Sequence, residues 1–384
     1  MNTRTRNYLL GFVSFGLVIA LAFGAVFLDK NSSYTGEYKQ EMKCSLSLNK
    51  MEDTKLVNDV IVHWLSETRD VDSAEKLYEQ YREYGRLDYP ESVTIGFSVS
   101  NVPMGAEITK QEVKISETED FSEFICLNIP VDDRQIGVYN LKPGTKYYYS
   151  ILVELSDGTT LKEFSTFNTI PGPRYMYVDG IRNVRDIGGY TTLDGKRVKW
   201  DMIYRGTEMD GAISEGKFVV KDEGVDTLVN HLNVKLQMDL RASNLKNSKD
   251  MLPSQVPHKY YSAFSYAEAF GEHGVKSLKK VFTDLADPAN YPVYLHCTYG
   301  IDRTGTIVYL MGAVLGLDDD ALYQEWALST FFSGKLSFKK EMNEFVDIVQ
   351  SFEGDTTQEK VTNYLLSLGI TESQLESFKS IMLE

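Results

Sequence analysis

The most informative segment of the chain lies between Tyr291 and Gly305. It consists of Tyr291-Pro292-Val293-Tyr294-Leu295-His296-Cys297-Thr298-Tyr299-Gly300-Ile301-Asp302-Arg303-Thr304-Gly305. A short apolar run precedes the cysteine, and apolar residues recur at helical spacing over residues 304–317. A strand, a tight loop and a helix N-terminus in this order bring backbone N–H groups and the positive helix end to one point. The stretch therefore predicts an anion-binding loop.

The loop contains a cysteine and an arginine, which can act as a nucleophile and as an anion-binding group. The field that holds an anion also favours the thiolate form of Cys297, which is a strong nucleophile. The guanidinium of Arg303 is suited to bind two oxygens of a phosphate monoester and to present phosphorus for in-line attack. Thr304 is placed to donate a hydrogen bond to the thiolate. The remaining phosphate-binding groups are the amides of Thr298, Tyr299, Gly300 and Ile301. The pattern predicts a cysteinyl-phosphate intermediate.

The leaving group of such a reaction needs a proton, and two aspartates are candidates to donate it. Asp302 lies within the loop and is the first candidate. Asp239 is the second and lies in the run Val234–Arg241, whose apolar residues alternate as in a strand. Either carboxylate is also suited to hold an arginine in place. His296 is interpreted as a residue that orders the loop, because a thiolate needs no base.

Residues 296–305 match the Cys-x5-Arg loop of protein tyrosine phosphatases, and their Asp-Arg-Thr-Gly ending is similar to the bacterial secreted dual- and triple-specificity branch. Further segments resemble that branch: Asn183-Val184-Arg185-Asp186-Ile187-Gly188-Gly189-Tyr190, Ile203-Tyr204-Arg205-Gly206, Asp239-Leu240-Arg241 and Leu368-Gly369-Ile370-Thr371. The resemblance spans residues 173–384. It implies a parallel sheet flanked by helices, a covalent mechanism without metal or other cofactor, and the loop aspartate as the acid. It also implies that Arg185 and Asp186 lie near the bound phosphate.

The loop departs from that branch at two positions. Ile301 stands where the branch commonly has lysine, a cation suited to multiply phosphorylated inositol rings. Tyr299 is bulkier than expected and is interpreted as a wall of the pocket or a surface on which an aromatic substrate stacks. Both departures leave monoester hydrolysis intact, and Ile301 counts against phosphoinositides.

Residues 89–171 are predicted to form an all-β sandwich. Short runs rich in Val, Ile, Thr and Tyr alternate with turn residues there, at 93–99, 111–115, 124–129, 136–141, 147–155 and 163–168. Residues 141–147 resemble the corner before the penultimate strand of fibronectin type III domains, where the hydroxyl of a tyrosine, here Tyr147, bonds back to the chain. Such a domain acts as a spacer or binds a protein or surface ligand.

The N-terminal residues 1–30 are predicted to be a membrane anchor. The segment 7–28 has no charged side chain and follows Arg4 and Arg6, so the positive-inside rule leaves the rest of the chain outside the cytoplasm, at the cell surface. A cleaved signal peptide is the alternative, and it would give a secreted protein. Residues 31–88 are predicted to be a linker and a helical segment, with one helix around Leu56–Leu65 and another from Asp72. The catalytic domain is assigned to residues 172–384.

The chain has 384 residues and a net charge of −15, which excludes a general nucleic-acid binder. Basic residues nevertheless concentrate at 174–205, and this cluster is predicted to contribute to one anion site. Of the three cysteines, Cys44 and Cys126 are the pair free to form a disulfide, but Cys126 lies in an apolar run and is interpreted as a reduced core residue.

The leading functional hypothesis is a phosphatase of phosphotyrosine or related aryl monoesters in proteins. A phosphatase of phosphoinositides or other small phosphates is the second, with Arg185, Lys196 or Arg205 compensating for Ile301. A silent phospho-ligand binder or adhesion protein is the third, although such a protein has no need of the nucleophile. A rhodanese-like sulfur transferase lacks this arginine spacing.

Overall fold

The computed structural model describes residues 43–67, 69–336 and 338–384, and residues 44–384 form one compact unit. The predicted anchor at 1–30 and the start of the predicted linker lie outside the described residues. Within the described ranges, no helix has the length and apolarity needed to cross a membrane.

Seven strands in two antiparallel sheets form the N-terminal part. They are β1 (Ser45–Leu48), β2 (Val93–Ser100), β3 (Ile108–Ser116), β4 (Ile125–Asn128), β5 (Gln135–Val138), β6 (Lys146–Leu155) and β7 (Thr160–Asn168). One sheet has the order β1-β2-β5 and the other β4-β3-β6-β7. Alternate residues of facing strands, such as Ile95, Val113 and Ile151, are buried between the sheets. The sandwich was predicted, but β1 lies in the segment that was predicted to be a linker and helices.

The corner before β6 has the predicted hydrogen bond. The Tyr147 hydroxyl accepts a hydrogen bond of 2.8 Å from the backbone N–H of Lys142. Cys126 differs from its prediction, because its position in β4 points the side chain to solvent instead of into the core. Cys44, Cys126 and Cys297 are all free thiols.

Two helices follow β1, α1 (Asp59–Ser66) and α2 (Val71–Tyr81). The second helix begins earlier than the predicted Asp72, because Asp70 caps it by accepting a hydrogen bond of 2.7 Å from the Ser73 N–H. Both helices pack on the core of the C-terminal part, where the ring of Trp64 meets the edge of Phe331 at 5.4 Å.

The C-terminal part is an α/β domain with a six-stranded sheet. Its strands are β8 (Arg174–Tyr175), β9 (Arg185–Asp186), β10 (Ile203–Gly206), β11 (Leu236–Asp239), β12 (His258–Tyr260) and β13 (Val293–His296). Its helices are α3 (Asp222–Asp226), α4 (Glu272–Leu285), α5 (Asp302–Leu315), α6 (Asp319–Ala327), α7 (Thr330–Ser333), α8 (Lys339–Gln350), α9 (Thr357–Ser367) and α10 (Glu372–Met382).

The sheet order is β12-β11-β13-β10-β9-β8. The first four strands of this order are parallel, and β9 and β8 join antiparallel, so the predicted parallel sheet is mixed and mostly parallel. The strand β13 therefore lies at the centre of the sheet, and α5, which follows it, is almost entirely buried. This arrangement fixes the position of the loop between them.

Candidate active site

Residues 297–301 connect the carboxyl end of β13 to the N-terminus of α5. The loop turns sharply at Gly300, which has a φ of 68° and lies against the backbone of Gly206 at the end of β10. A Cβ atom at this position would collide with the Gly206 carbonyl oxygen, so only glycine fits. The predicted strand, loop and helix are thus confirmed.

Three hydrogen-bond donors from other parts of the domain bind the carbonyl oxygens of the loop. The Glu208 N–H donates a hydrogen bond of 3.0 Å to the oxygen of Thr298, and the Asn183 side-chain amide donates one of 3.2 Å to the oxygen of Tyr299. The guanidinium of Arg205 donates to the oxygen of Gly300. The described residues supply no acceptor for the N–H groups of Thr298–Ile301. Four unpaired amides at a helix N-terminus are the anion cradle that the sequence predicted.

Cys297 lies beneath this cradle and is 3% exposed. Arg303, in the first turn of α5, is half-buried and forms no hydrogen bond or ion pair with the described residues. The hydroxyls of Thr298 and Thr304 are buried and have no partner in this part of the chain. The site therefore combines a thiol, an uncommitted guanidinium and several unused hydrogen-bond donors.

Asp302 accepts a hydrogen bond of 2.5 Å from the hydroxyl of Tyr266, a residue that sequence reasoning missed. Burial raises the pKa of Asp302 above that of an ordinary aspartate, although the Tyr266 hydrogen bond and the charge of Arg303 act in the opposite direction. A carboxyl group with a raised pKa, beside the arginine that is predicted to bind phosphate, suits the role of proton donor.

Asp239 has a different environment. Burial alone would raise its pKa, but hydrogen bonds from His258 and Arg241 and the charge of Arg241 outweigh burial and hold the pKa below its usual value. Arg241 donates to both carboxylate oxygens at 2.7–3.0 Å. A carboxylate held in its charged form by these donors is suited to positioning them and unsuited to giving up a proton.

His296 orders the loop as expected. Burial lowers its pKa, so the ring is neutral, and its Nδ1 donates a hydrogen bond of 3.0 Å to the Cys297 carbonyl oxygen. Its Nε2 then accepts one of 3.0 Å from the Gln237 side chain.

The ligand atoms of Asp239, His258 and His296 also lie within 4.8 Å of one another, as in a metal site. Arg241 supplies a cation to this carboxylate, and it also pairs with Glu208 and Asp210.

The resemblance placed Arg185 and Asp186 near the bound phosphate. Arg185 lies behind the loop, where it donates to Oδ1 of Asn183, the residue whose side-chain amide holds the Tyr299 carbonyl oxygen. Arg185 is fully buried and pairs with Glu325 at 3.0 Å, and Asp186 is buried and pairs with Arg174 at 2.8 Å. Both residues stabilise the domain from within. The predicted basic cluster at 174–205 is thus largely committed to ion pairs.

Glu325, in α6, is a second residue of the site that the sequence did not reveal. Its Oε1 accepts hydrogen bonds from Arg185 and, at 3.1 Å, from Arg205, while Oε2 accepts one of 3.0 Å from the Tyr190 hydroxyl. Burial and the charge of Arg185 lower the pKa of Arg205 to about 10, which still leaves it charged near neutral pH. The only signal in the sequence was an acidic residue among apolar ones at 321–328.

A nucleophilic thiol under unpaired amides, with a free arginine at the start of the following helix, is the arrangement of the cysteine-dependent phosphatases. A family model described as the tyrosine phosphatase family matches residues 176–384, and the chain belongs to this family. The match leaves the preceding β-sandwich unidentified.

Two solved structures are similar to the chain. The core catalytic domain of PP-IP phosphatase SIW14 from S. cerevisiae, in complex with citrate, is 13% identical with a TM-score of 0.28, over 47% of this chain and 93% of that one. A structure of the Siw14 catalytic core is 14% identical with a TM-score of 0.30, over 47% and 92%. No curated protein matches the chain.

We expect Glu325→Gln to lower the free energy of unfolding by about 3–5 kcal/mol, because two buried guanidinium groups lose their shared counter-charge. Urea denaturation followed by circular dichroism measures the change. Glu344→Gln is the matched control, since Glu344 is 53% exposed and pairs with Lys340 within one exposed helix turn. That control should lose about 0.3–0.5 kcal/mol. Equal losses in the two variants would contradict the structural role of Glu325.

Proposed function

We propose that the C-terminal domain is a protein tyrosine phosphatase that hydrolyses aryl phosphate monoesters. The observation that carries the proposal is the loop itself, which joins the Cys297 thiol to the N-terminus of α5 and has four amides and the Arg303 guanidinium without a partner among the described residues. These donors would bind the three non-bridging phosphate oxygens and orient phosphorus toward sulfur. Each residue acts without a metal ion in this scheme.

The reaction has two steps. The Cys297 thiolate attacks phosphorus, the bond to the leaving oxygen breaks, and Asp302 gives that oxygen its proton. Water then attacks the cysteinyl phosphate, Asp302 takes a proton from the water, and the thiolate leaves with phosphate as the product. The partnerless Thr304 hydroxyl is suited to stabilise the departing thiolate.

The surroundings of the loop favour an aromatic substrate. Tyr299, within the loop, is 42% exposed, and its ring makes a T-shaped contact with the ring of Phe218, with the two centroids 5.7 Å apart. Phe218 in turn packs on Phe332 at 5.8 Å. This aromatic wall offers a face for the phenyl ring of phosphotyrosine.

A multiply phosphorylated inositol ring finds less support. Ile301 brings no charge to the loop, and Arg185 and Arg205 are buried and committed to Glu325. Lys196 is exposed and pairs with Asp194. These three cations were the ones expected to compensate for Ile301. The free thiol and arginine likewise favour catalysis over a silent phospho-ligand binder.

The rest of the chain is proposed to place this enzyme outside the cytoplasm. Residues 1–30 would anchor it in the membrane, or direct secretion if they are cleaved, on the evidence of their sequence alone. The sandwich is proposed to be of the fibronectin type III kind, supported by its three-plus-four strand arrangement and the Tyr147 corner. It would act as a spacer or bind a surface ligand.

Cys297→Ser should reduce turnover of p-nitrophenyl phosphate by about 10³-fold or more, since the nucleophile is lost. Initial rates of the full chain measure this. Cys126→Ser is the matched control, because its thiol is exposed on the sandwich, and its rate should equal that of the natural protein. Equal rates for the Cys297 variant would exclude the mechanism.

Asp302→Asn should slow hydrolysis of phenyl phosphate, a poor leaving group, by about 10²-fold and affect p-nitrophenyl phosphate far less. The acid must be protonated, so the natural kcat should fall as pH rises through the pKa of Asp302, at a pH above the ordinary aspartate range. Asp239→Asn should slow both substrates alike. A selective loss in the Asp239 variant would reassign the acid.

Tyr299→Ala should lower kcat/KM for phosphotyrosine peptides about fivefold, as the loss of one aromatic contact of about 1 kcal/mol implies. Glycerol phosphate, which has no ring, should be hydrolysed at an unchanged rate. Tyr84→Ala is the control, since this tyrosine is 85% exposed outside the site. Faster turnover of inositol lipids than of phosphopeptides by the natural protein would overturn the aryl assignment.

A further inference from the structure

Tyr266 is attached to the first turn of α5 at two points. It begins a short 3-10 turn, Tyr266–Phe270, and is 5% exposed. Its hydroxyl donates to Oδ1 of Asp302 at 2.5 Å, and its backbone N–H donates to Oγ1 of Thr306 at 2.8 Å. The Thr306 hydroxyl donates to the carbonyl oxygen of Asp302 at 2.9 Å. The side chain and the backbone of Tyr266 are thus held to the residue proposed as the acid.

The conformation of Tyr266 is unusual for its residue type. Its φ is 53°, in the left-handed region that side chains other than glycine rarely adopt. Surrounding aromatic rings hold it there, with Trp326 edge-on at 6.5 Å and Phe338 at 6.1 Å. Packing and two hydrogen bonds maintain this disfavoured backbone conformation. We infer that the site requires the ring of Tyr266 to lie in this position.

The direction of the Tyr266 hydrogen bond matters for the chemistry. A neutral carboxyl group has one O–H donor, and the phenol is the donor in its bond to Oδ1. The proton of Asp302 is therefore left to Oδ2, the oxygen that Tyr266 does not occupy. A carboxyl group free to rotate would offer that proton to the leaving group for only part of the time.

We propose that Tyr266 is a positioning residue, which holds Oδ1 of Asp302 so that Oδ2 carries the transferred proton in both steps of the reaction. In the first step the O–H bond of Oδ2 breaks as the proton passes to the leaving oxygen, whose bond to phosphorus breaks. In the second step Oδ2 takes a proton from the attacking water, and the sulfur leaves as thiolate. The inference rests on the proposed phosphatase function.

Tyr266 also stabilises the carboxylate that exists between the two steps. Its hydrogen bond favours the charged form of Asp302, as do the charges of Arg303 on α5 and Arg205 on β10, while burial opposes it. Burial raises the pKa of Tyr266 most, the charge of Asp302 raises it further, and a charged Cys297 in the loop adds to the increase. The phenol therefore remains a donor throughout the working pH range.

The test uses Tyr266→Phe in the full chain, which removes the hydroxyl and keeps the ring and the backbone bond to Thr306. We expect kcat for phenyl phosphate to fall about tenfold with KM unchanged. The alkaline limb of the kcat profile should move to higher pH, because the carboxylate loses a donor. A role limited to packing would leave that limb in place.

Tyr261→Phe is the matched control. The Tyr261 hydroxyl also donates to a partly buried aspartate, Asp284, at 2.7 Å. This pair, however, lies between the end of β12 and α4. Its variant should keep the natural kcat and the natural pH limb. A shift of the limb in both variants would overturn the proposal.

A second comparison places Tyr266→Phe in an Asp302→Asn background. If Tyr266 acts through Asp302, the tenfold loss should disappear there, and a persisting loss would overturn the inference. If Cys297→Ser and the natural protein turn over substrate equally, the proposed phosphatase function is rejected. If the natural protein is active and Tyr266→Phe has the same activity, only the positioning role of Tyr266 is rejected.

Discussion

The carboxylate of Glu325 is the constraint on which the rest of the site depends. It lies between two buried guanidinium groups, and one of them, Arg205, holds the carbonyl oxygen of Gly300. That bond helps to turn the loop carbonyls outward, and the loop amides consequently face the cradle. An arginine in the interior is costly without a counter-charge, so the position of α6 and the shape of the phosphate loop are fixed together. The positions of the Cys297 thiol and of Arg303 depend on this arrangement of Glu325, Arg205 and the loop.

Local patterns in the sequence were sufficient for the loop and much of the fold. A strand, a tight turn and a helix N-terminus interact with their own neighbours in the chain, so the cradle between β13 and α5 was predictable. The Tyr147 bond to Lys142 also spans one turn, and it was expected from the resemblance of residues 141–147 to a fibronectin type III corner. The second helix was found as well, although its cap at Asp70 was misplaced by two residues.

Features that depend on distant partners were not predictable. The arginines at 174–205 looked like an anion site because nothing in the sequence says that Asp88, Glu325 and Asp186 neutralise them. Tyr266 lies in a loop with no periodic pattern, and its partner Asp302 is far along the chain. The strand β1 is short, and its partner β2 follows only after two helices. These contacts arise from packing, which composition and spacing do not encode.

Arg174 connects the two parts of the protein and bears on where the chain can be cut. Its guanidinium donates to the carbonyl oxygens of Asn140 and Leu141 beside the sandwich corner, and also to Asp186. The family match begins at residue 176, so a fragment that starts there lacks this cation. Burial already raises the pKa of Asp186 to about 6 with Arg174 present, and without it the carboxylate would be buried unpaired. A fragment that keeps Asp186 paired must therefore start at or before Arg174, ahead of the residues that the family match covers.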